Sequence, residues 1–351
     1  MGPQACGPGG PGTLAGVEST GEHRNVTRLG LWLTGPWPVV PADGDGPYPG
    51  SPTGSGPVGS SVLDRVAALA EFAEQVGFDS VWVTDRVPSH APDGSGHPDP
   101  EAYSLLGALA TRTRAVRLGA IPLGEDRRPP SIVGKIVTGI DVISHGRAVL
   151  TYGLGPADAV RGARTTEAVR VGRALLEDEA PTFEGAFYTV VDAMNRPGPV
   201  QPGGVPVVVF FEDQADMATV AVTEFAGLAD AVIVDGTAGD LRRVIEEVRS
   251  VPARGDPGPG GALGPLQVIG IGLLPGMTGP RAAGARPDEG IRVVGASALV
   301  PDLFDAGVDG CLVPLDMSTS VESLAATVAG SGHLSVRRSG SGGVTGEDRL
   351  A

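Results

Sequence analysis

Between Arg127 and Gly155 the chain reads RRPPSIVGKIVTGIDVISHGRAVLTYGLG. Two prolines open the stretch, an apolar helical pattern follows, and Ser144-His145-Gly146-Arg147 stops it. An apolar run then climbs from Ala148 to Tyr152 into a Gly-Leu-Gly. Ile132, Ile136, Ile140 and Ile143 recur at spacings of four and three, which places them on one helical face. That face needs a sheet to lie against. The strand that follows lacks polar–apolar alternation, as a strand buried on both faces of a parallel sheet does. A helix feeding such a strand is part of a repeating unit, so the rest of the chain has to supply copies.

The copies are present. Strands are predicted at Leu29–Gly35, Ser80–Asp85, Val116–Gly124 and in the stretch above, then at Val205–Asp213, Ala229–Gly236, Leu266–Gly276 and Val308–Asp316. Helices fall between them. One is capped by Ser61, carries Val62, Val66, Leu69, Phe72, Ala73 and Val76 on one stripe and stops at Gly77. Others run over about Glu101–Thr113 and Thr165–Leu176, between the fifth and sixth strands, through LRRVIEEV, near Ser297–Ala306 and over Val321–Val328. Eight strands alternating with helices favour one (β/α)₈ TIM barrel over residues 28–331. An open doubly wound sheet ranks second, because no Gly-x-Gly-x-x-Gly opens a helix after the first strand. Residues 1–27 and 332–351 lack periodicity and are predicted to be disordered tails.

A net charge of -15 argues against nucleic acid or an anionic membrane as partner and leaves small molecules open. Cys6 and Cys311 lie far apart, so a disulfide framework is not expected and a reducing cytoplasm fits best. No apolar run approaches the roughly 20 residues that span a bilayer.

In a barrel of this kind, chemistry gathers at the C-terminal ends of the strands. His145, Gly146 and Arg147 precede the fourth strand, so they are assigned a turn and salt-bridge role at the structural end. Asp85 and Arg86, Glu125 to Arg128, Glu212, Asp213, Asp235 and Asp316 follow strands and sit at the functional rim. Carboxylates converging there could serve acid–base work, or could cap the helices that follow. No metal is expected: His90 and His97 share a Pro/Gly loop, and no His-x-x-x-His or Glu-x-x-His pair exists. Gly119, Gly124, Gly153, Gly155 and Gly236 would let backbone approach a flat ring or a phosphate. VVGAS, Val293–Ser297, is a second candidate phosphate site before a late helix.

Several stretches carry a family resemblance. They are AEQVGFDSVWVTD, VRLGAIPLGEDRRPPSIVGKIVTGIDVISHGRAVLTYGLG, TEAVRVGRALL, FEGAFYTV with PGPVQPGGVPVVV, and VVGAS with AGVDGCLVPL. In this order the chain resembles the bacterial luciferase-like superfamily of flavin- and deazaflavin-dependent oxidoreductases, with shortened insertions. The resemblance implies a TIM barrel, a tricyclic cofactor across its mouth and a small-molecule substrate stacked on the ring. It implies hydride transfer with coenzyme F420. The alternatives are an FMN-dependent monooxygenase of the same family, or a barrel without catalysis that acts as a binding or accessory protein. Asp85 is then the candidate proton relay, beside Arg86, where the family commonly has His. Gly119, Ala120, Ile121 and Pro122 would form a bulge beneath the ring, stiffened by Pro122. Tyr152, Gly153 and Gly155, with Gly295 and Ser297, would meet the ring edge or the phosphate. The family is often dimeric, which implies a homodimer.

Overall fold

The computed structural model describes residues 26–34, 58–86, 100–123, 128–154, 159–202, 204–211, 222–251, 265–274, 277, 298–317 and 319–331. In chain order the elements are β1 (Leu29–Thr34), α1 (Val58–Val76), β2 (Ser80–Asp85), α2 (Ala102–Arg112), β3 (Arg117–Pro122), α3 (Pro130–Ser144) and β4 (Leu150–Gly153). They continue as α4 (Ala159–Glu177), a two-stranded ribbon of β5 (Phe183–Glu184) and β6 (Thr189–Val190), β7 (Val207–Phe211) and β8 (Ala231–Val234). The series closes with α5 (Ala238–Ser250), β9 (Gln267–Ile271), α6 (Val300–Ala306), β10 (Gly310–Asp316) and α7 (Val321–Ser331). Eight strands lie in the order β3-β2-β1-β10-β9-β8-β7-β4, and every pairing is parallel. A single bridge, Leu118–Ala148, joins β3 to β4 and closes the barrel. The expected (β/α)₈ fold is what forms.

The interior fills in tiers drawn from alternate strands, as the strand stagger of such a barrel requires. Trp82, Thr151, Ile233 and Leu312 share one tier; Trp32, Ile121, Phe210 and Ile271 form the next toward the strand C-termini. Trp32 and Phe210 meet edge to face across that upper tier, with centroids 6.1 Å apart. Gly119 lies opposite Trp82 in register, and a Cβ there would overlap the indole ring. A larger, second core lies between the strands and the helices.

Local chemistry explains the element ends. Glu101 caps α2 by accepting from the N–H groups of Tyr103 (3.3 Å) and Ser104 (2.7 Å). Gly77 adopts a left-handed φ of 101° and stops α1. His145, at φ 57°, does the same for α3. Arg147 is buried, but its partners are neutral: the carbonyls of Ala110, Thr113, Val116 and Ser144 and the Thr113 hydroxyl. Its role is structural, through carbonyls where a salt bridge was expected.

Three boundaries and one helix face differ from expectation. Val26 and Thr27, assigned to the tail, are buried; Val26 donates to the Gln267 side chain at 2.8 Å. Helix α1 begins at Val58, before Ser61, and α4 begins at Ala159, ahead of Thr165. On α3 the buried stripe is Val133, Val137, Ile140, Asp141 and Ser144, while Ile132 and Ile143 are 51% and 49% exposed. Two apolar stripes with helical spacing exist on α3. Asp141 decides between them, because the N–H groups of Val200 and Gln201 and the Gln201 amide need its carboxylate facing inward. The helix expected between the fifth and sixth strands lies largely outside the described residues, which show a 3₁₀ turn at Val222–Phe225.

Candidate functional site

At the rim, Arg128 ties the end of β2 to the start of α2. Its Nη1 donates to Asp85 Oδ2 at 2.6 Å, and its Nη2 to Asp85 Oδ1 at 3.2 Å and Glu101 Oε1 at 3.0 Å. The guanidinium also lies over the Tyr103 ring, 5.1 Å from its centroid. Asp85 is 7% exposed and follows Val81 and Val83 in facing the helical layer. Burial pushes its carboxyl above the usual Asp range, while the bond and charge of Arg128 pull it down without cancelling the rise. Burial also acts on Glu101, but the bonds from Ser104 and Tyr103 and the Arg128 charge outweigh it and hold that carboxyl low. Asp85 is therefore a tie between strand and helix starts. The proton-relay expectation does not match its direction, which is away from the barrel axis.

Beside this tie lies an open cleft of about 460 Å³, counting the solvent space at its mouth. Tyr152, Gly153 and Leu154 at the end of β4 form one side, Arg128 and Pro130 a second, and Arg161, Arg164, Thr165 and Ala168 of α4 a third. Tyr188 on the ribbon completes it. Three arginines facing one cleft stand out in a chain of net charge -15. Arg161 and Arg164 occupy the first two turns of α4, and among the described residues the first turn of that helix carries no acidic side chain.

The structure brings some of the expected residues together. Tyr152 and Gly153 line the cleft. Tyr152 is wedged between helices: its hydroxyl donates to Pro130 O at 3.4 Å, and it lies so close over Gly172 that a Cβ there would overlap it. Pro122 packs on Gly153, whose Cβ would meet Pro122 O at 2.9 Å. The open side of Gly153 is thus taken by β3, and only its backbone faces the cleft. Gly119 is filled by Trp82, Ala120 faces the helices, and Ile121 is in the upper interior tier, so these three support the site from below. Against β2 the register of β3 runs unbroken from Arg117 to Pro122, without the expected bulge. Arg86 is half-buried beside Asp85. Cys311 is buried mid-strand, and burial pushes its thiol to about 12, which leaves it inert. Gly155, Gly295, Ser297, His90, His97, Glu212 and Asp213 lie outside the described residues. Among the described residues no group of three or more His, Cys, Asp or Glu side chains could hold a metal, and no helix is long and apolar enough to cross a membrane.

Comparison with known proteins places this rim in context. A family model described as luciferase-like monooxygenase matches residues 47–268. The chain belongs to the luciferase-like monooxygenase family. Within it, the chain is 33% identical over 159 residues to the F420-dependent glucose-6-phosphate dehydrogenase of Kineococcus radiotolerans, covering 41% of this chain and 46% of that protein. It is 29% identical over 150 residues to the 5,10-methylenetetrahydromethanopterin reductase of Archaeoglobus fulgidus, covering 40% and 41%. The chain thus spans less than half the length of these curated relatives. Among solved structures, an F420-dependent secondary alcohol dehydrogenase in complex with an F420-acetone adduct shares the fold, with a TM-score of 0.54 at 18% identity, over 83% of this chain and 93% of that one. The monooxygenase RslO1 from Streptomyces bottropensis does so at a TM-score of 0.50 and 19% identity, over 71% of each. Luciferase-like membership explains the barrel.

Arg161, Arg164, Thr165, Glu167 and Tyr188 are not among the site residues expected from the sequence. A signal existed: two arginines three apart, in RGARTTEAVR, at the positive end of a helix. It was hidden because the helix start was placed at Thr165, which left both arginines in a loop.

Proposed function

We propose that the chain is a luciferase-like oxidoreductase that binds a phosphate-bearing deazaflavin, coenzyme F420, and transfers hydride to or from a small organic substrate. The cationic cleft at the C-terminal rim carries this reading, and the F420-dependent relatives support it. The residues present fit such a group. Arg161 and Arg164 supply charged donors for a phosphate, Thr165 adds a hydroxyl, and the start of α4 adds its dipole. The upper tier of Trp32, Ile121, Phe210 and Ile271 forms a buried apolar floor beneath the barrel mouth. The bound deazaflavin would supply the hydride chemistry; the protein supplies placement, an apolar floor and a fixed anion anchor. FMN-dependent oxygenation is the second reading, favoured by the description of the matching family and met by the same phosphate anchor.

Fluorescence titration of the full-length protein with F420 and with FMN tests both. Micromolar or tighter binding of one cofactor is expected. Arg161→Ala and Arg164→Ala should each weaken it about tenfold, as loss of a charge-assisted bond does. Absence of binding to either cofactor overturns the proposal.

A further inference from the structure

The ribbon that completes the cleft has little of its own to hold it. It consists of two residue pairs, Phe183–Val190 and Glu184–Thr189, and a ribbon that short is not stable alone. At its tip Phe187 is 38% exposed and the Tyr188 ring packs on the core, so the backbone of the turn needs a further anchor. The anchor is polar. Glu167 on α4 accepts three consecutive backbone N–H groups: Ala186 at 2.8 Å, Phe187 at 2.9 Å and Tyr188 at 3.2 Å. Such a run of N–H groups is an anion nest, here filled by a carboxylate of the same chain. Gly185 opens the turn, and its N–H donates to Tyr188 O at 2.9 Å. A Cβ on Gly185 would overlap the Glu167 carboxylate, so the nest and the glycine go together.

The consequence reaches the cleft through Tyr188. Its hydroxyl accepts from Arg164 Nε at 3.1 Å, and the Arg164 guanidinium lies 5.7 Å from the centre of its ring. Arg164 and Glu167 stand three residues apart on one face of α4 and grip the same tip from two sides. Tyr188 thereby holds a flexible arginine by its inner nitrogen, which directs the outer two nitrogens. An arginine preorganised in this way loses less entropy when it takes an oxyanion.

We propose that Glu167 is a positioning residue for anion capture: by holding the 186–188 turn it fixes Tyr188, and Tyr188 aligns Arg164 for the phosphate of the bound cofactor. This rests on the reading of the cleft as a cofactor phosphate site. The test compares cofactors with and without the phosphate, FMN against riboflavin and F420 against its phosphate-free riboside, on the full-length protein. Glu167→Ala should weaken the phosphate-bearing ligand about tenfold and leave the phosphate-free one within about twofold, the loss of one well-aligned charge-assisted bond. Tyr188→Phe, which keeps the ring and removes the acceptor for Arg164, should show the same selectivity at a few-fold, and Glu167→Gln should fall between wild type and Glu167→Ala. Equal weakening of both ligands would overturn the proposal, because a ribbon that merely shapes the site does not discriminate the phosphate. Wild-type-like affinity in Glu167→Ala and Tyr188→Phe would overturn it while leaving the function standing. A wild-type protein that binds no phosphate-bearing cofactor overturns both.

Discussion

Replacing Asp85 with alanine leaves Arg128 without its bidentate partner. Removing one member of a buried ion pair costs about 3–5 kcal/mol when the other is left uncompensated. Here the arginine side chain is 26% exposed and keeps Glu101 and the Tyr103 face, so the loss falls lower, at about 2–3 kcal/mol. For a domain of this size that lowers Tm by about 4–6 °C. The assay is a double-mutant cycle of Asp85→Ala with Arg128→Ala, followed by thermal or denaturant unfolding. Because the two side chains share two hydrogen bonds, the coupling should be about 1–2 kcal/mol. Additivity within about 0.5 kcal/mol would refute the tie. The cycle also decides between roles: a proton relay predicts lost turnover at unchanged Tm for Asp85→Asn, whereas a tie predicts a lower Tm. Because Arg128 lines the cleft, cofactor affinity should fall with stability in Asp85→Ala.

Two further outcomes follow from the geometry. Gly119→Ala forces a methyl into the Trp82 ring and should destabilise by at least about 1–3 kcal/mol, whereas Gly107→Ala on α2, with nothing within 4 Å, should stabilise by about 0.5–1 kcal/mol; urea unfolding of both variants checks the contrast. The Glu167 tether should also depend on pH. Burial acts on its carboxyl, but the bonds from Phe187, Ala186 and Tyr188 outweigh it and hold the carboxyl below the ordinary Glu range. A lowered native value means the released state binds the proton more tightly, so the tether is at full strength above the ordinary Glu value and is lost as pH falls through the native one. Amide exchange at Ala186, Phe187 and Tyr188 should lose its protection over that acidic window before the barrel strands do, and exchange in step with the barrel would count against an independent tether.

How legible the molecule was in its sequence differs from element to element. Ser80–Asp85 was readable to the residue and the helix expected over about Glu101–Thr113 to within one residue at each end, because a buried parallel strand and an amphipathic helix are each specified by neighbours a few positions away. The face of α3 was not readable. Its isoleucines and its valines have equally good helical spacing, and Asp141, which chooses between them, answers to residues 200 and 201, far along the chain. The ribbon at 183–190 escaped notice because two-residue strands have no period to read.

The site divides in the same way. Tyr152 and Gly153 could be named from the strand-end rule, since position along a barrel strand is local information. Their use could not be, because Pro122 closes over Gly153 and Trp82 fills the space at Gly119 only when strands distant in the chain are paired. By itself the sequence determined the eightfold alternation, the family and the end of the barrel where chemistry gathers, all of which follow from periodicity and short motifs. Only the tertiary structure decided that Asp85 ties while Arg161 and Arg164 line the cleft. Charge and hydrogen-bonding capacity belong to a residue, but the direction in which a side chain is spent is set by partners that folding alone brings within about 3 Å.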